Sequence, residues 1–432
     1  MTLSPCQEKA LTEFEAFLAS PDKEFILSGF SGVGKTFITE RMLDSLDKRN
    51  KFMVEVLQMR PYSLVLTATT NKAVRALLNV TEKLDFNLPV STIHSFLKLR
   101  VYQDFKTGRE TLHRTKDTSV HTGVIVFIDE ASYVDDNLKK IILSCISNSK
   151  IVWIGDRDQL LAVGYSTSPV LDDETATNKV HMVTPQRNTG SINALGHAYR
   201  NVLHGGSWPI IKPTTEIIQI SGAVFKDLVQ KEYLSSEYQS NPDHIKIMGW
   251  TNRKVSEYNK FIRNLYTNTE PYVVGEFLTS NSAILDGTGI PVCSADTTMK
   301  INSVSDVLID DYGVEFQEVV FEPDYTVYRV PLHFSQVQSI LNNLAKIAKS
   351  TGSWHEFFEF KNRYADFRPS HACTVHKAQG STYDNACIDL YDIGSNNKPM
   401  EVARLLYVAI TRAKHKLYVY GELPEKYQGI IL

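Results

Sequence analysis

Phe25-Ile26-Leu27-Ser28-Gly29-Phe30-Ser31-Gly32-Val33-Gly34-Lys35-Thr36 is the stretch that decides the fold. It starts as a short apolar run, passes through a glycine-rich turn and enters a helical pattern at Lys35. Residues 29–36 satisfy G-x-x-x-x-G-K-[ST] in full, with the strand before and the helix after that the pattern requires. Glycines let successive backbone N–H groups wrap a phosphate, and a helix N-terminus favours an anion. Lys35 is placed to hold β- and γ-phosphates, and the Thr36 hydroxyl to bind Mg²⁺. Gly32, Val33, Gly34 and Phe37 complete the expected ATP-binding set around them. The bland alternative, a glycine-rich surface turn, does not account for that context.

Working outward, apolar runs at 64–66, 124–128 and 151–154 each end in small, polar or charged residues. Such runs predict parallel strands buried on both faces, with a functional edge at their carboxyl ends. The second run ends in Asp129-Glu130, and a buried strand seldom ends in an acidic pair without a task. Asp129 is expected to hold Mg²⁺ and Glu130 to polarise the attacking water. The third run ends in Gly155-Asp156-Arg157-Asp158-Gln159, where Gln159 is placed to sense the γ-phosphate; a polar strand end is the alternative. Phosphoryl transfer also needs cations from outside the loop. Arg187 and Arg412 are the two expected, although spacing alone supports them weakly.

Strand patterns at 245–248, 386–388 and 416–419 predict a second α/β unit. Turn-rich, β-branched sequence interrupts it from about 272 to 332, with turns at Asp286-Gly287, Thr288-Gly289 and Asp311-Tyr312-Gly313. This reads as a small β-barrel. Residues 333–368 read as a helical arm broken near Gly352. A hairpin signal runs from Val101 to Phe105, turns at 106–109 and returns over Glu110 to Arg114. The predicted fold class is therefore α/β: two parallel-sheet domains, a hairpin in the first, and a barrel plus helical arm inserted in the second. The expected boundaries are 1–189 for the first domain (hairpin about 97–121), 190–271 with 369–432 for the second, 272–332 for the barrel and 333–368 for the arm.

Composition narrows the function. Lys and Arg number 46 against 49 Asp and Glu, a net charge of -3. This excludes a small basic duplex-coating protein but leaves room for nucleic acid in a local channel. Five cysteines stand apart without a C-x-x-C pair, so neither a disulfide framework nor a zinc site is expected, and a reducing cytoplasm fits. No apolar run is long enough to cross a membrane.

The motifs resemble, in order and over nearly the whole chain, those of the superfamily-one helicases. The set runs Gln7, the phosphate loop, Thr67 to Ala73, Ser91-Thr92-Ile93-His94-Ser95, Asp129 to Ser132, Gly155 to Gln159, Arg187, Thr251-Asn252, Thr374 to Gly380, and Tyr407 to Arg412. The short chain, Ser91-Thr92-Ile93-His94, His376-Lys377-Ala378-Gln379-Gly380 and the late insert are most similar to the small Dda-like members of the 5′→3′ branch that also contains RecD. The resemblance implies ATP between two RecA-like domains and single-stranded DNA across both. It places Gln7 at the adenine edge and Gly380 among the nucleotide contacts. It also implies that Gln159 couples γ-phosphate to DNA, that Arg187 and Arg412 reach across the cleft, and that hairpin 101–114 is a strand-separating pin. Gln186 departs from the pattern, since an aromatic often precedes the Arg187 position and stacks on adenine.

Weak, releasable phosphate contacts suit stepping along a strand. Thr69, Thr70, Asn71 and His94 follow first-domain strands, and Thr251, Asn252, Thr374 and His376 hold matching places in the second. Each Thr or Asn has a helix N-cap as its alternative; the symmetry favours DNA. Trp354 has two readings, a base-stacking platform or arm core. Phe105 or Leu112 is the expected wedge. Expected partners are single-stranded DNA, duplex junctions and replication or recombination proteins, for a motor acting as a monomer in the cytoplasm, the host's if phage-encoded. A translocase that mainly displaces proteins and a nucleotide-switched DNA-binding protein are the alternatives.

Overall fold

The computed structural model describes residues 3–103, 110–114, 118, 120–161, 167–184, 190–265, 271–285, 291–323 and 325–429. After helix α1 (Pro5–Ala19) come β1 (Glu24–Gly29), α2 (Lys35–Glu55), β2 (Ser63–Ala68), α3 (Asn71–Thr81), β3 (Val90–Thr92) and α4 (Ile93–Phe96). A two-stranded excursion, β4 (Arg100–Gln103) and β5 (Glu110–His113), precedes β6 (Val124–Asp129), α5 (Asp136–Cys145), β7 (Lys150–Gly155) and β8 (Lys179–Met182). Six of these strands form one parallel sheet in the order β3-β2-β6-β7-β1-β8. Helices cover both faces, so β7 is buried along its whole length and β1 over all but its first residue. That double burial is why these strands read as unbroken apolar runs.

The second parallel sheet has the order β19-β10-β20-β21-β9. Its strands and helices are α6 (Ser191–Val202), β9 (Ile217–Ile220), α7 (Gly222–Tyr233), α8 (Ser236–Ser240), β10 (Ile245–Gly249) and α9 (Asn252–Arg263) before the insert. After it follow β19 (Ala372–Thr374), α12 (Val375–Ala378), β20 (Tyr383–Asp389), α13 (Leu390–Gly394), α14 (Pro399–Ile410) and β21 (Ala413–Tyr420). One cluster of buried apolar side chains runs through both parallel sheets, from Phe14, Phe25 and Phe127 to Leu405, Val408 and Tyr427.

The insert holds β11 (Phe277–Ser280), β12 (Ile284–Leu285), β13 (Pro291–Cys293), β14 (Thr298–Val304), β15 (Leu308–Ile309), β16 (Glu315–Glu322) and β17 (Val327–Pro331). The arm, α10 (Phe334–Thr351) and α11 (His355–Lys361), leads to β18 (Phe367–Pro369). β16 pairs antiparallel with β14 and β15 on one side and β17 on the other, and β11 joins β14 to β18. Ala365 N–H donates to the Arg329 carbonyl at 2.8 Å, bringing the approach to β18 beside β17, so the sheet curls back on itself. The last strand of this small sheet thus comes after the arm. Arg263 Nε on α9 meets the buried Glu276 carboxylate at 2.9 Å and fixes the point of entry.

The arm breaks at Gly352, whose φ of 74° ends α10 in the left-handed conformation. The Asp311-Tyr312-Gly313 turn is present, with Gly313 at φ 73°; the turns expected at 286–289 lie outside the described residues. The hairpin is present too, with Val101 opposite Leu112. Its turn with Phe105, and the Leu112 side chain, lie outside the described residues.

Trp354 is a correction. It is 6 % exposed and packs edge-on against Phe357 and beside Phe358, in the small core that α10 and α11 share with Ala348. An indole used in this way offers no free face to a base. Truncating a buried aromatic costs about 3–5 kcal/mol. Trp354→Ala should therefore lower the arm's stability in denaturant melts and speed amide exchange over 334–361. Single-strand affinity should change less than about threefold, whereas loss of a stacked base would cost about 1–3 kcal/mol.

Candidate active site at the seam between the two sheets

The phosphate loop leaves β1 at Gly29, where an added Cβ would lie 2.9 Å from Val33 and 3.0 Å from Met182. Gly32 and Gly34 take φ of 88° and 84°, conformations that side chains resist. The loop therefore curls tightly into α2, whose first residue is Lys35. The Lys35 ammonium donates to the Gly29 carbonyl at 2.7 Å and to Phe30 at 3.2 Å. Thr36 is exposed beside it, and Val33 is buried beneath. Phe37, in the first turn, carries the Arg41 guanidinium over its ring. Gln7 is buried on α1, where its Oε1 accepts the Ser4 N–H at 3.0 Å.

Glu130 follows β6 with φ 53° and ψ 42°, a left-handed conformation that costs a non-glycine residue about 1–3 kcal/mol. Its neighbours impose it. Asp129 Oδ1 accepts the Glu130 N–H at 2.8 Å, and the Glu130 carbonyl accepts from the Thr69 hydroxyl at 3.0 Å and from Tyr133 N–H at 3.1 Å. Burial, then the Asp129 charge, pushes the Glu130 carboxyl upward, while Arg412 and Lys35 pull the other way. Burial also raises Asp129. A buried carboxylate that feels the Lys35 charge, with the exposed Thr36 hydroxyl next to Lys35 in the chain, is a donor pair that fits a hard cation.

The second sheet reaches this site through α14, which is buried from Leu405 to Ile410. The Tyr407 hydroxyl accepts the Ser31 N–H of the phosphate loop at 2.9 Å and donates to Asp156 Oδ2 at 2.6 Å. Arg404 Nη1 donates to the carbonyls of Arg157 and Gln159 at 2.9 and 2.8 Å. Gln159 is buried, with Nε2 donating to Asp156 Oδ2 at 3.2 Å, and its Oε1 has no hydrogen-bond partner among the described residues. Arg412 is buried and feels the Glu130 charge; its guanidinium donates to Val408 O, Ser381 O and Thr411 Oγ1. Arg187 and Gln186 lie outside the described residues.

Above the cleft the two sheets present matching strand ends. Thr70 caps α3, Thr92 caps α4, Thr251 caps α9 and Thr374 caps α12, each hydroxyl accepting the N–H three residues on. The cap role weighed for Thr70, Thr251 and Thr374 is therefore real, and Thr92 caps in the same way. Thr251 also donates to Asp392 Oδ1 at 2.7 Å, which uses its proton as well. Asn252 and His376 are exposed, and burial lowers the His94 pKa. Asn71 Nδ2 donates to Ala295 O of the insert at 3.4 Å. Gly380, at φ 75°, faces Ala73 N, Lys72 and Thr70 across the cleft, so its nearest first-domain neighbours are the start of α3. Lys72 donates to the Lys377 carbonyl, and Lys377 Nζ to Asn281 Oδ1 at 2.6 Å.

Residues 13–165 match the family model of an AAA domain, and residues 369–420 that of the UvrD-like helicase C-terminal domain. The chain is a P-loop ATPase with the two RecA-like domains of the superfamily-one helicases. An uncharacterised mimivirus protein is 24% identical over 91% of this chain and 94% of its own. The phage T4 protein named ATP-dependent DNA helicase dda is 23% identical over 91% of this chain and 93% of its own. The crystal structure of Pif1 helicase from Candida albicans superposes with a TM-score of 0.52 at 15% identity, covering 100% of this chain and 97% of that one. The Pif1 likeness is one of fold, and at these identities the relatives select no branch of the helicases.

The ATPase site missed in sequence reasoning is the Tyr407–Asp156–Ser31 junction with Arg404. Its one signal was a hydroxyl in the otherwise aliphatic buried stretch 405–410, which must find partners. In the ATPase, Lys35→Ala should cut turnover by about two orders of magnitude or more and weaken nucleotide binding, because the phosphate grip is gone. Glu130→Gln should lower kcat comparably while ATP still binds, the outcome expected of a proton acceptor that makes no phosphate contact. Steady-state phosphate release and fluorescent-nucleotide titration separate the two; a Glu130→Gln protein unable to bind nucleotide would make Glu130 structural.

Proposed function

We propose that this ATPase is a DNA helicase that moves 5′→3′ along a single strand and parts the duplex ahead of it. One observation carries the reading. Threonine-capped helices follow strands β2 and β3 in one sheet and β10 and β19 in the other, and both sets overlook the seam that holds Lys35, Glu130 and Arg412. Thr70 and Asn71 on one side, and Thr374, His376 and Asn252 on the other, then supply a repeated backbone track with few tight contacts.

In the cycle, Lys35 holds the β- and γ-phosphates and Glu130 takes the proton of the attacking water. Thr36 and Asp129 would hold Mg²⁺, which neutralises phosphate charge when bound. Arg412, Arg187 and Lys35 stabilise the charge that develops in transfer, Gln159 reads the γ-phosphate, and Gln7 reads the adenine edge. Coupling to the strand has a physical route. The Thr69 hydroxyl bonds the Glu130 carbonyl, and Thr70 and Asn71 are the next two residues, so pressure on the track shifts the backbone of the base. The named activities of the T4 and Candida relatives support the same reading.

Direction is tested on duplexes bearing one single-stranded tail. A 5′ tail should support unwinding and a 3′ tail should not; equal use of both, or of the 3′ tail alone, overturns the direction.

The hairpin β4–β5 follows α4, close in sequence to His94, and is proposed as the pin. Breaking each stacked base pair costs about 1.4 kcal/mol on average, so a motor without a wedge waits for the junction to fray. Replacing 102–113 by a short Gly-Ser turn should cut 5′-tailed unwinding at least about tenfold while ATPase on single strands stays within about twofold. Unwinding at the wild-type rate removes the pin assignment, and joint loss of both activities makes the hairpin a fold element.

A further inference from the structure

Tyr407 is 0 % exposed and lies in a buried helix whose neighbours, Leu405, Leu406, Val408, Ala409 and Ile410, are all aliphatic. A phenylalanine would fill the same space without the cost of burying a hydroxyl. The hydroxyl here is fully used and joins three parts of the molecule. Its oxygen accepts from Ser31 N–H in the phosphate loop, and its proton goes to Asp156 Oδ2 just past β7. Asp156 is also the acceptor for Gln159 Nε2 and, through Oδ1, for Asp158 N–H at 3.0 Å. One turn before Tyr407, Arg404 grips the carbonyls of Arg157 and Gln159; at the end of the same helix Arg412 ties back to Val408.

We propose that Tyr407 is a positioning residue of the ATPase, its hydroxyl fixing the phosphate loop and the Gln159 loop at a set distance from the helix that delivers Arg412. It touches neither water nor phosphate in this role; it acts through Ser31 and Asp156. Sliding α14 by about an ångström would stretch both bonds beyond good geometry together, so the hydroxyl favours one alignment of the two domains. The consequence belongs in the chemical step, where charge-stabilising groups must be aligned, more than in nucleotide affinity, which Lys35 and the loop glycines carry. The inference rests on the ATPase chemistry alone, so its failure leaves direction and unwinding untouched.

The test is steady-state ATP hydrolysis by Tyr407→Phe, Asp156→Ala and the double variant, with a saturating thymidine oligonucleotide and without it, beside thermal melts. Tyr407→Phe should lower kcat at least about tenfold with KM changed less than about threefold and the melting temperature nearly unchanged. If both residues act through one bond, the double variant should be no slower than the slower single. A kcat within about twofold of wild type overturns the proposal. So do a loss confined to KM, losses that multiply in the double variant, and a kcat loss that merely tracks lost stability. Should Tyr407→Phe fail to fold, Asp156→Asn carries the test with the same kcat–KM split expected.

Discussion

Asp156 accepts hydrogen bonds from Tyr407, Gln159 and Asp158, and through this one carboxylate the polar ends of the first sheet are tied to the second. The arrangement follows from what a parallel sheet is. With both faces covered by helices, polar side chains are excluded from strand interiors and accumulate where strands end. Gly29, Asp129 and Gly155 are three such ends on neighbouring strands, so phosphate loop, acidic pair and Gln159 loop meet without any long-range design beyond the strand order. A second domain that closes on this edge must bring its own partners for the groups it dries. Tyr407, Arg404 and the buried Arg412 are those partners, and all three come from one helix and its end.

The same economy shapes the upper edge. A threonine that begins a helix already presents its hydroxyl to the backbone, and the proton remains available for an outside acceptor. Capping and an outside contact are thus compatible at the half-buried Thr70, whereas Thr374 is buried. At Thr251 they compete, because Asp392 already takes the proton. Repetition of the device on both sheets is a property of two similar folds, and it puts chemically equivalent groups at matching strand ends.

How much of this was legible in the sequence depended on burial and on distance along the chain. Strands β1, β2, β6 and β7 were visible because each is buried on both faces and therefore apolar without interruption. The three-residue β3, Val90-Ser91-Thr92, carries no apolar run, and β8 alternates Lys-Val-His-Met at a sheet edge, so neither announced itself. β18 was folded into the arm because its pairing with β11 is invisible across the intervening helices. The phosphate-loop motif is local, so its strand, turn and helix were legible from one short stretch. Tyr407 was quoted within a motif but given no task, since its partners Ser31 and Asp156 lie 376 and 251 positions away. Trp354 had two readings because local sequence gives an indole's neighbours but not which face they cover; Phe357 and Phe358 cover it.

The insert completes the mechanical picture, because it touches both sides of the seam at once. Asn71, at the start of α3, donates to Ala295, and Lys377, on α12, donates to Asn281 and pairs with Asp296 at 3.5 Å. Lys72 reaches the Lys377 carbonyl directly. Asn281, Ala295 and Asp296 therefore register the separation of α3 from α12, which is the separation of the two halves of the upper edge. At its other end the insert is anchored by Arg263 and the buried Glu276, a pairing too costly to break casually because it would leave a charge unpartnered out of water. A body held firmly to the second domain and lightly to the first turns a change in cleft width into a displacement at its near edge. The strength of the two attachments sets which contact yields: exposed or half-exposed hydrogen bonds at Asn71 and Lys377 give way before the buried ion pair does.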